Sequence, residues 1–457
     1  MLNRIKAAIS DFLHIHPEEG VPEQVAKYFK HNVFVNTMDL AFFTFGDSFV
    51  SIVTIIPVFA ATLTDSPLII GLIPAIVNFG WFMPQMFMAG YISSLEKKLP
   101  FTLRMAVIER SVYFFFPVLA LMVPKISSNT ALTFLLLLIT LRGLTSGLVA
   151  LPWQELQAKV IPITHRARFW GMSRVLAQIA GVIGSVIATL VLSRLPYPQN
   201  FALCFALAII AQWISFSFYR QNKEPETDTA QEDQTLDKPS MQGKQSKLVD
   251  FELFKRILKE DLNFRKYIIA RSMIFLANMG SGFLAVYGIQ HFALSEAQAA
   301  IFTALLYLSG IVGYSIGGVI GDKLGPKRVV VISVLIWAAT MVLAIIAPVI
   351  WVYYLVFVLF GLNSAGMVLG DSLLVMELGE EKLRPTYLGM ARSLTGIFVL
   401  LSPILAGWLV ESFNYRVMFA ISCVLSLIAA PVMNQVHDVP RTKSKPANLE
   451  SESKAVP

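Results

Sequence analysis

Twelve long apolar runs, separated by short polar connections, constrain this chain more than any other feature. A helix needs about 20 largely apolar residues to cross the hydrocarbon core of a bilayer. Every run reaches that length, so we expect an all-α membrane protein with twelve transmembrane helices, called spans 1 to 12. They lie at 33–61, 67–92, 101–124, 130–158, 168–193, 199–219, 264–290, 297–321, 327–347, 350–377, 386–411 and 415–435.

Composition excludes the other broad classes of protein. Hydrophobic residues make up 55% of the 457 residues and charged residues only 15%, against about 25% charged in soluble domains. A water-soluble enzyme, a disordered chain and a coiled coil are therefore excluded. No phosphate-binding loop of the G-x-x-x-x-G-K-[ST] type is present, which argues against ATP hydrolysis. The sequence predicts no enzyme activity, no catalytic residues, no cofactor and no metal site.

The net charge of +7 could indicate a nucleic-acid partner, but the distribution of lysine and arginine explains it otherwise. If the N-terminus is cytoplasmic, the outer loops hold only Lys125, Arg194 and Arg416, and most other basic residues fall in inner loops and tails. This bias sets orientation in multi-pass proteins. We therefore predict a multi-pass cell-membrane protein with both termini cytoplasmic, lipid around it and no nucleic-acid partner. We also predict a monomer.

The chain divides into two halves and three polar segments. We expect a cytoplasmic amphipathic segment at 1–31, with an apolar stripe, and a six-helix bundle at 32–220. A cytoplasmic linker follows at 221–262, which is low in hydrophobicity at first and then reads as a short amphipathic helix. A second six-helix bundle is expected at 263–437 and a disordered tail at 438–457. The stripe consists of Leu2, Ile5, Ile9, Phe12 and Leu13.

An internal repeat relates the two halves. The pattern at Gly143-Leu144-x-Ser146 recurs at Gly361-Leu362-x-Ser364, and Gly171-Met172-x-Arg174 recurs at Gly389-Met390-x-Arg392 with the same offset. One ungapped register thus relates spans 4–5 to spans 10–11. Both copies run in the same direction, so the halves are parallel repeats about an axis along the membrane normal.

One loop motif resembles a known family. Between spans 8 and 9 the chain carries the spaced set Gly318, Asp322, Lys323, Gly325, Lys327 and Arg328. This set resembles the G-x-x-x-D-[RK]-x-G-x-[RK]-[RK] signature of the major facilitator superfamily. The copy expected between spans 2 and 3 is degraded, with Ser94 at the aspartate position. The resemblance implies two pseudo-symmetric six-helix bundles that transport a solute by alternating access.

The motif and its neighbours predict a cytoplasmic gate. An aspartate at the inner end of span 8 can accept amide hydrogens at the start of span 11 and pair with an arginine there. We expect Asp322 to hold Arg392 in this way, joined by Glu377. Glu155 and Arg174 would form the corresponding pair in the N-terminal half. The alternative is a solvated basic turn that only anchors the topology.

Ionisable residues inside spans 1, 4, 7 and 10 predict a central cavity, because the resemblance implies that these four spans line it. An intramembrane charge is a functional-site hypothesis by default; the alternative is a static internal salt bridge. We take Asp47 as the proton-coupling carboxylate, and Asn278 and Asn363 as neutral solute contacts. The expected cavity set is Asp39, Asp47, Arg142, Arg271, Asn278, Asn363 and Asp371. Glu109 and Arg110 are interpreted as a packing or latch pair.

Together these features predict a secondary active transporter of a small polar or amphipathic solute, coupled to an ion, with the proton as first choice. Uptake and efflux remain open. The alternatives are a non-transporting membrane sensor and a lipid-handling member of the same fold. A sensor would carry an ordered output module, and a lipid carrier would have few charges in its cavity.

Overall fold

The computed structural model describes residues 21–93, 95–225, 251–377 and 384–437, and these form twelve crossings, as predicted. Within them, eleven segments are long and apolar enough to span a membrane. Span 1, which contains buried Asn32, Asn36 and Asp39, is the more polar exception. The spans are Glu23–Asp47 with Ile55–Ala61, Pro67–Ser93, Leu99–Val112 with Phe115–Met122, Ser128–Val160, Ile163–Arg194, Gln199–Tyr219, Leu262–Ala277 with Leu284–His291, Gln298–Leu324, Pro326–Ile346, Ile350–Glu377, Arg384–Ser412 and Tyr415–Asn434.

Span 1 begins earlier than its hydropathy predicted. Its helix begins at Glu23 rather than near Val33, so the predicted boundary at residues 31 and 32 is wrong. The reason is packing: Val25 and Phe29 are buried, and Phe29 belongs to a cluster with Leu156 of span 4. The apolar stripe at residues 2–13 and the tail from 438 lie outside the described residues, as does Ser94.

The linker defines one side of the molecule. Span 6 ends and span 7 begins on what we call the linker side, and the loops at the other ends of the helices lie on the opposite side. Just before span 7, the predicted short helix is present as Phe251–Glu260. There Arg256 Nε lies 3.0 Å from Glu260 Oε2. The preceding residues 226–250 lie outside the described part of the chain.

The repeated glycines occupy matching positions in the two halves. A Cβ on Gly143 of span 4 would lie 3.1 Å from the Val77 carbonyl oxygen of span 2. A Cβ on Gly361 of span 10 would overlap the Leu306 carbonyl oxygen and the Ser309 hydroxyl of span 8. Spans 2 and 4, and spans 8 and 10, therefore approach closely because neither glycine has a side chain. These matching positions are consistent with the parallel repeat.

Spans 1 and 7 are both interrupted part-way through the bundle. In span 1 the helix stops at Asp47 and resumes at Ile55, and in span 7 it stops at Ala277 and resumes at Leu284. Irregular backbone at membrane depth must find hydrogen-bond partners inside the protein. Arg142 Nη1 donates to the Val50 carbonyl over 3.0 Å. Trp337 Nε1 donates to the Ala277 carbonyl over 2.8 Å.

The two halves touch on the opposite side. Asn200 Nδ2 of span 6 lies 3.1 Å from Glu296 Oε2 before span 8. The hydroxyls of Thr54 and Thr303 lie 2.5 Å apart. A Cβ on Gly407 of span 11 would lie 2.7 Å from Leu68 Cα of span 2. These contacts join the N-terminal and C-terminal bundles directly.

The linker side is open between the same two bundles. Here the glycines are Gly171 on span 5, Gly318 on span 8 and Gly396 on span 11. A Cβ built on any of them would meet no atom of the described residues within 4 Å. The bundles are therefore packed together on the opposite side and separated on the linker side.

Candidate functional site: a charged cavity between the two halves

A cavity of about 590 Å³ lies between the bundles and is lined by both of them. Asp39 and Asp47 of span 1 both line it, as the sequence predicted, and so do Trp81 and Trp153. Its polar and aromatic lining comprises Asp39, Phe43, Thr44, Asp47, Trp81, Glu109, Arg110, Ser146, Trp153, Gln154, Arg174, Gln178 and Tyr219 from the N-terminal half, and Tyr307, Tyr314 and Ser364 from the C-terminal half. This volume suits a small organic solute.

The first charged group is a matched pair of Asp47, which lines the cavity, and Arg142, which was predicted to line it but is buried and is not among the lining residues. Arg142 Nη2 lies 2.5 Å from Asp47 Oδ1, and Arg142 Nε donates to the Tyr113 hydroxyl over 3.0 Å. From the C-terminal half, the Tyr307 hydroxyl donates to Asp47 Oδ2 over 3.3 Å. One guanidinium thus compensates one carboxylate, and the same carboxylate also accepts a hydrogen bond from the C-terminal bundle.

The second group contains more acid than base. Arg110 Nη1 lies 3.0 Å from Glu109 Oε2, and Arg110 Nη2 lies 3.8 Å from Asp39 Oδ1. All three side chains are buried. Two carboxyl groups therefore share a single guanidinium. Glu109 and Arg110 were expected to form a packing or latch pair and do pair, but they also line the cavity; an ionisable pair inside span 3 was the signal for this.

Neutral side chains also donate hydrogen bonds to the carboxyl groups of Asp39 and Glu109. The Ser215 hydroxyl donates to Asp39 Oδ1 over 2.6 Å, and Trp153 Nε1 donates to Asp39 Oδ2 over 3.3 Å. The Ser146 hydroxyl donates to Glu109 Oε1. Spans 1, 3, 4 and 6 are thereby joined through one polar cluster inside the N-terminal bundle.

The predicted Glu155–Arg174 gate pair is not formed in this structure, whose linker side is open. Glu155 Oε2 lies 3.6 Å from Lys98 Nζ instead. Lys98, the residue before span 3, contacts Glu155 near the linker end of span 4. Arg174 instead lines the cavity, and its guanidinium carbon lies 5.4 Å from the centre of the Trp170 ring. Within the described part of the chain it forms no ion pair.

The charges of the C-terminal half pair with each other. Arg271 Nη2 lies 2.7 Å from Asp371 Oδ2, and the Tyr267 hydroxyl donates to Asp371 Oδ1 over 2.8 Å. Both residues were predicted to line the cavity, but neither is among the described side chains that line it. The contact is a local bond between spans 7 and 10.

The two predicted asparagine contacts serve the backbone instead. Asn278 Nδ2 donates to the Ile274 carbonyl over 3.1 Å, one turn back in its own span. Asn363 Nδ2 donates to the Ser333 carbonyl over 2.7 Å, and only 3% of Asn363 is exposed. Asn363 therefore holds span 10 against span 9, and the expectation that it faces a solute is wrong.

The predicted gate motif lies at the open linker side. Gly325 has φ 90°, a conformation that favours glycine, so it allows the turn between spans 8 and 9. Lys327 Nζ donates to the Val436 carbonyl over 2.9 Å and so contacts the end of span 12. Lys323 and Arg328 are exposed. The side chains of Asp322, Glu377 and Arg392 lie outside the described part of the chain, and their roles stay predictions.

Comparisons with known proteins agree with this architecture. A family model described as "Major Facilitator Superfamily" matches residues 267–456. The whole fold matches solved transporters of that architecture, described below, over about nine tenths of the chain. The family match thus covers the C-terminal half of the chain, and the whole chain has the fold of solved transporters.

Two solved structures and one curated relative illustrate the likeness. A variant of the nucleoside transporter NupG has a TM-score of 0.66 at 16% identity, covering 89% of this chain and 100% of its own. The xylose transporter XylE from E. coli, in a partially occluded inward open conformation, has a TM-score of 0.65 at 14% identity, covering 92% and 100%.

The curated relative is the gentisate transporter of Corynebacterium glutamicum. It is 28% identical over 140 residues, which is 30% of this chain. The chain spans about a third of that relative's length, 32%. In this chain, the charged residues among the described cavity lining all belong to the N-terminal half.

Proposed function

We propose that this chain is a member of the superfamily and a secondary active transporter that moves a small polar or amphipathic solute by alternating access. The observation that carries the proposal is the cavity between the bundles, together with the direct contacts that join the bundles on the opposite side. With the linker side cytoplasmic, the structure corresponds to an inward-open state. The solutes named for the similar proteins, gentisate, nucleoside and xylose, belong to the same broad class of small polar molecules.

Proton coupling fits the unequal charges around Arg110. Asp39 and Glu109 share one guanidinium, and the surrounding donors are neutral. An unpaired charge in a buried site is costly, so binding one proton would balance this cluster. Asp47 was the sequence-based choice, but Arg142 already compensates it. We therefore assign the coupling proton to the Asp39–Glu109 pair.

Distances between spin labels on the two bundles test both alternating access and the proton site, and they need no known solute. In a background with Cys204→Ala and Cys423→Ala, one pair of labels would sit at Gly171→Cys and Gly318→Cys on the linker side. A second pair would sit at Arg194→Cys and Ser295→Cys on the opposite side. We expect the two distances to change in opposite directions between pH 5 and pH 8.

Two results would contradict the proposal separately. Distances that stay fixed at every pH and in every variant would exclude alternating access. Linker-side and opposite-side responses to pH that both persist in full in the Asp39→Asn, Glu109→Gln double variant would exclude the proton site. Glu411→Gln, which removes an exposed acid from the opposite end of span 11, is the matched control and should respond to pH as the parent does.

A further inference from the structure

We propose that Arg174 and the tryptophans beside it form the solute subsite, and that the solute is a small carboxylate anion with a planar ring. This inference rests on the proposed transport function and names its substrate class. It assigns Arg174 to solute binding, whereas the sequence predicted a role for this residue in the cytoplasmic gate.

The first argument is charge. Arg110 and Arg142 are committed to carboxylates of the protein, whereas Arg174 has no ion pair within the described residues and faces the cavity. A cation held inside a membrane protein is expected to have a counter-charge. Because the described residues supply none here, an anion from solution is the natural partner.

The second argument is geometry. The Arg174 guanidinium lies over the face of Trp170, 5.4 Å from the ring centre. A stacked guanidinium keeps its edge N–H groups available, and that edge matches the two oxygens of a carboxylate. A single turn further along span 5, Gln178 also lines the cavity and adds an amide on the same helical face.

The third argument is the aromatic surface around this cation. The rings of Trp170 and Trp153 meet edge to face with centres 5.5 Å apart. Trp153 lines the cavity, and so do Trp81 and, from the other half, Tyr314. Flat aromatic walls favour a planar ring, because offset and edge contacts between rings add to simple burial.

The charge balance of the whole cavity agrees with an anion. With one proton on the Asp39–Glu109 pair, that pair balances Arg110, and Asp47 balances Arg142. Arg174 then leaves one positive charge in the cavity. A single carboxylate neutralises it, so a proton and a monovalent anion can occupy the cavity together without net charge.

Binding of benzoate to the full-length protein in detergent at pH 7, followed by titration calorimetry, tests the subsite. Benzyl alcohol has the same ring without the charge, and we expect it to bind at least tenfold more weakly. Arg174→Gln should weaken benzoate binding at least tenfold, and Arg174→Lys should weaken it less. Trp170→Leu should also weaken it, whereas Trp170→Phe should retain most of the affinity.

The control is Arg194→Gln, which removes an exposed arginine from the end of the same span and should leave benzoate binding unchanged. Thermal unfolding of each variant checks that it is folded. Equal binding of benzoate by the parent and Arg174→Gln, equal binding of benzyl alcohol and benzoate, or no benzoate binding at millimolar concentration would each overturn the inference. The label distances do not depend on benzoate, so they decide the transport proposal separately.

Discussion

The interruptions of spans 1 and 7 lie at equivalent places in the two halves, but different chemistry stabilises them. In span 1 the Val50 carbonyl accepts from the charged side chain of Arg142, which also holds Asp47. In span 7 the Ala277 carbonyl accepts from the neutral Trp337 indole and the Ser422 hydroxyl. One interruption is therefore tied to an ion pair in the cavity, and the other is tied to a buried neutral contact.

Because of this difference, we expect the interruption in the N-terminal half to respond to changes in charge and the interruption in the C-terminal half not to do so. A change in the charge or pairing of Asp47 would reach the span 1 interruption through one side chain. Trp337 is buried and its partners carry no charge, so pH does not act on the span 7 interruption directly. Four measurements would test this contrast.

The largest effect is expected for Arg142→Ala. It removes the partner of Asp47 and the donor to Val50 at once, and breaking a buried pair by removing one member costs roughly 3 kcal/mol or more. The free energy of unfolding in detergent should fall by that order. The Asp47→Asn, Arg142→Ala double variant should recover part of the loss, since no charge is stranded. A double variant less stable than Arg142→Ala alone would contradict the pairing.

Trp337→Phe should destabilise the protein less, by about 1–3 kcal/mol, because a buried carbonyl loses one of its two donors. The same unfolding measurement checks it. Its cost should be the same at pH 5 and pH 8, unlike that of Arg142→Ala. Trp351→Phe is the matched control, since Trp351 is 75% exposed and should change little. A cost for Trp337→Phe that varies with pH would remove the contrast between the halves.

Tyr307→Phe should mainly alter the balance between conformations. It deletes the hydrogen bond from the C-terminal half to Asp47, which is worth about 0.5–1.5 kcal/mol. The opposite-side labels at residues 194 and 295 should then report a larger separated population. Tyr314→Phe, on the same span and in the same cavity, removes a hydroxyl without that bond. Equal shifts in the two variants would show that the bond to Asp47 is not responsible.

The smallest effect concerns Glu296 on the opposite side. Burial raises the pKa of Glu296, and the hydrogen bond from Asn200 partly opposes this rise. A raised pKa means that the packed contact favours the protonated form, so its stabilisation is present at low pH and declines as the pH rises through that pKa. The opposite-side label distance should broaden over this range. The Glu296→Gln variant should lose this part of the pH dependence of the label distance. The same pH dependence in the variant and the parent would contradict the prediction.

The sequence predicted the span count, the repeat and much of the charged lining for a simple physical reason. Twenty apolar residues in a row have few alternatives to a membrane helix. Asp39 and Asp47 are eight residues apart, so they share a helical face and both reach the cavity. Arg271 and Asp371 were predicted on facing spans and do pair.

Other features depend on contacts that no local pattern reveals. The segment Ser48–Thr54 contains no proline or glycine, and it leaves the helix where a distant arginine satisfies its backbone. Glu155 pairs with Lys98 because the loop before span 3 folds over span 4. Asn363 was placed at the correct depth in span 10, but a small rotation of the helix turns it to Ser333.

The interruption of span 1 leaves its short second piece in contact with both bundles. Ile55–Ala61 contacts its counterpart in span 7, Thr54 beside it is bonded to Thr303, and Phe59 packs against Phe201 and Phe205 of its own bundle. If the opposite side parts, this piece must give up one of these two sets of contacts. The irregular backbone at residues 48–54 allows the chain to bend there, so the piece can stay with either bundle.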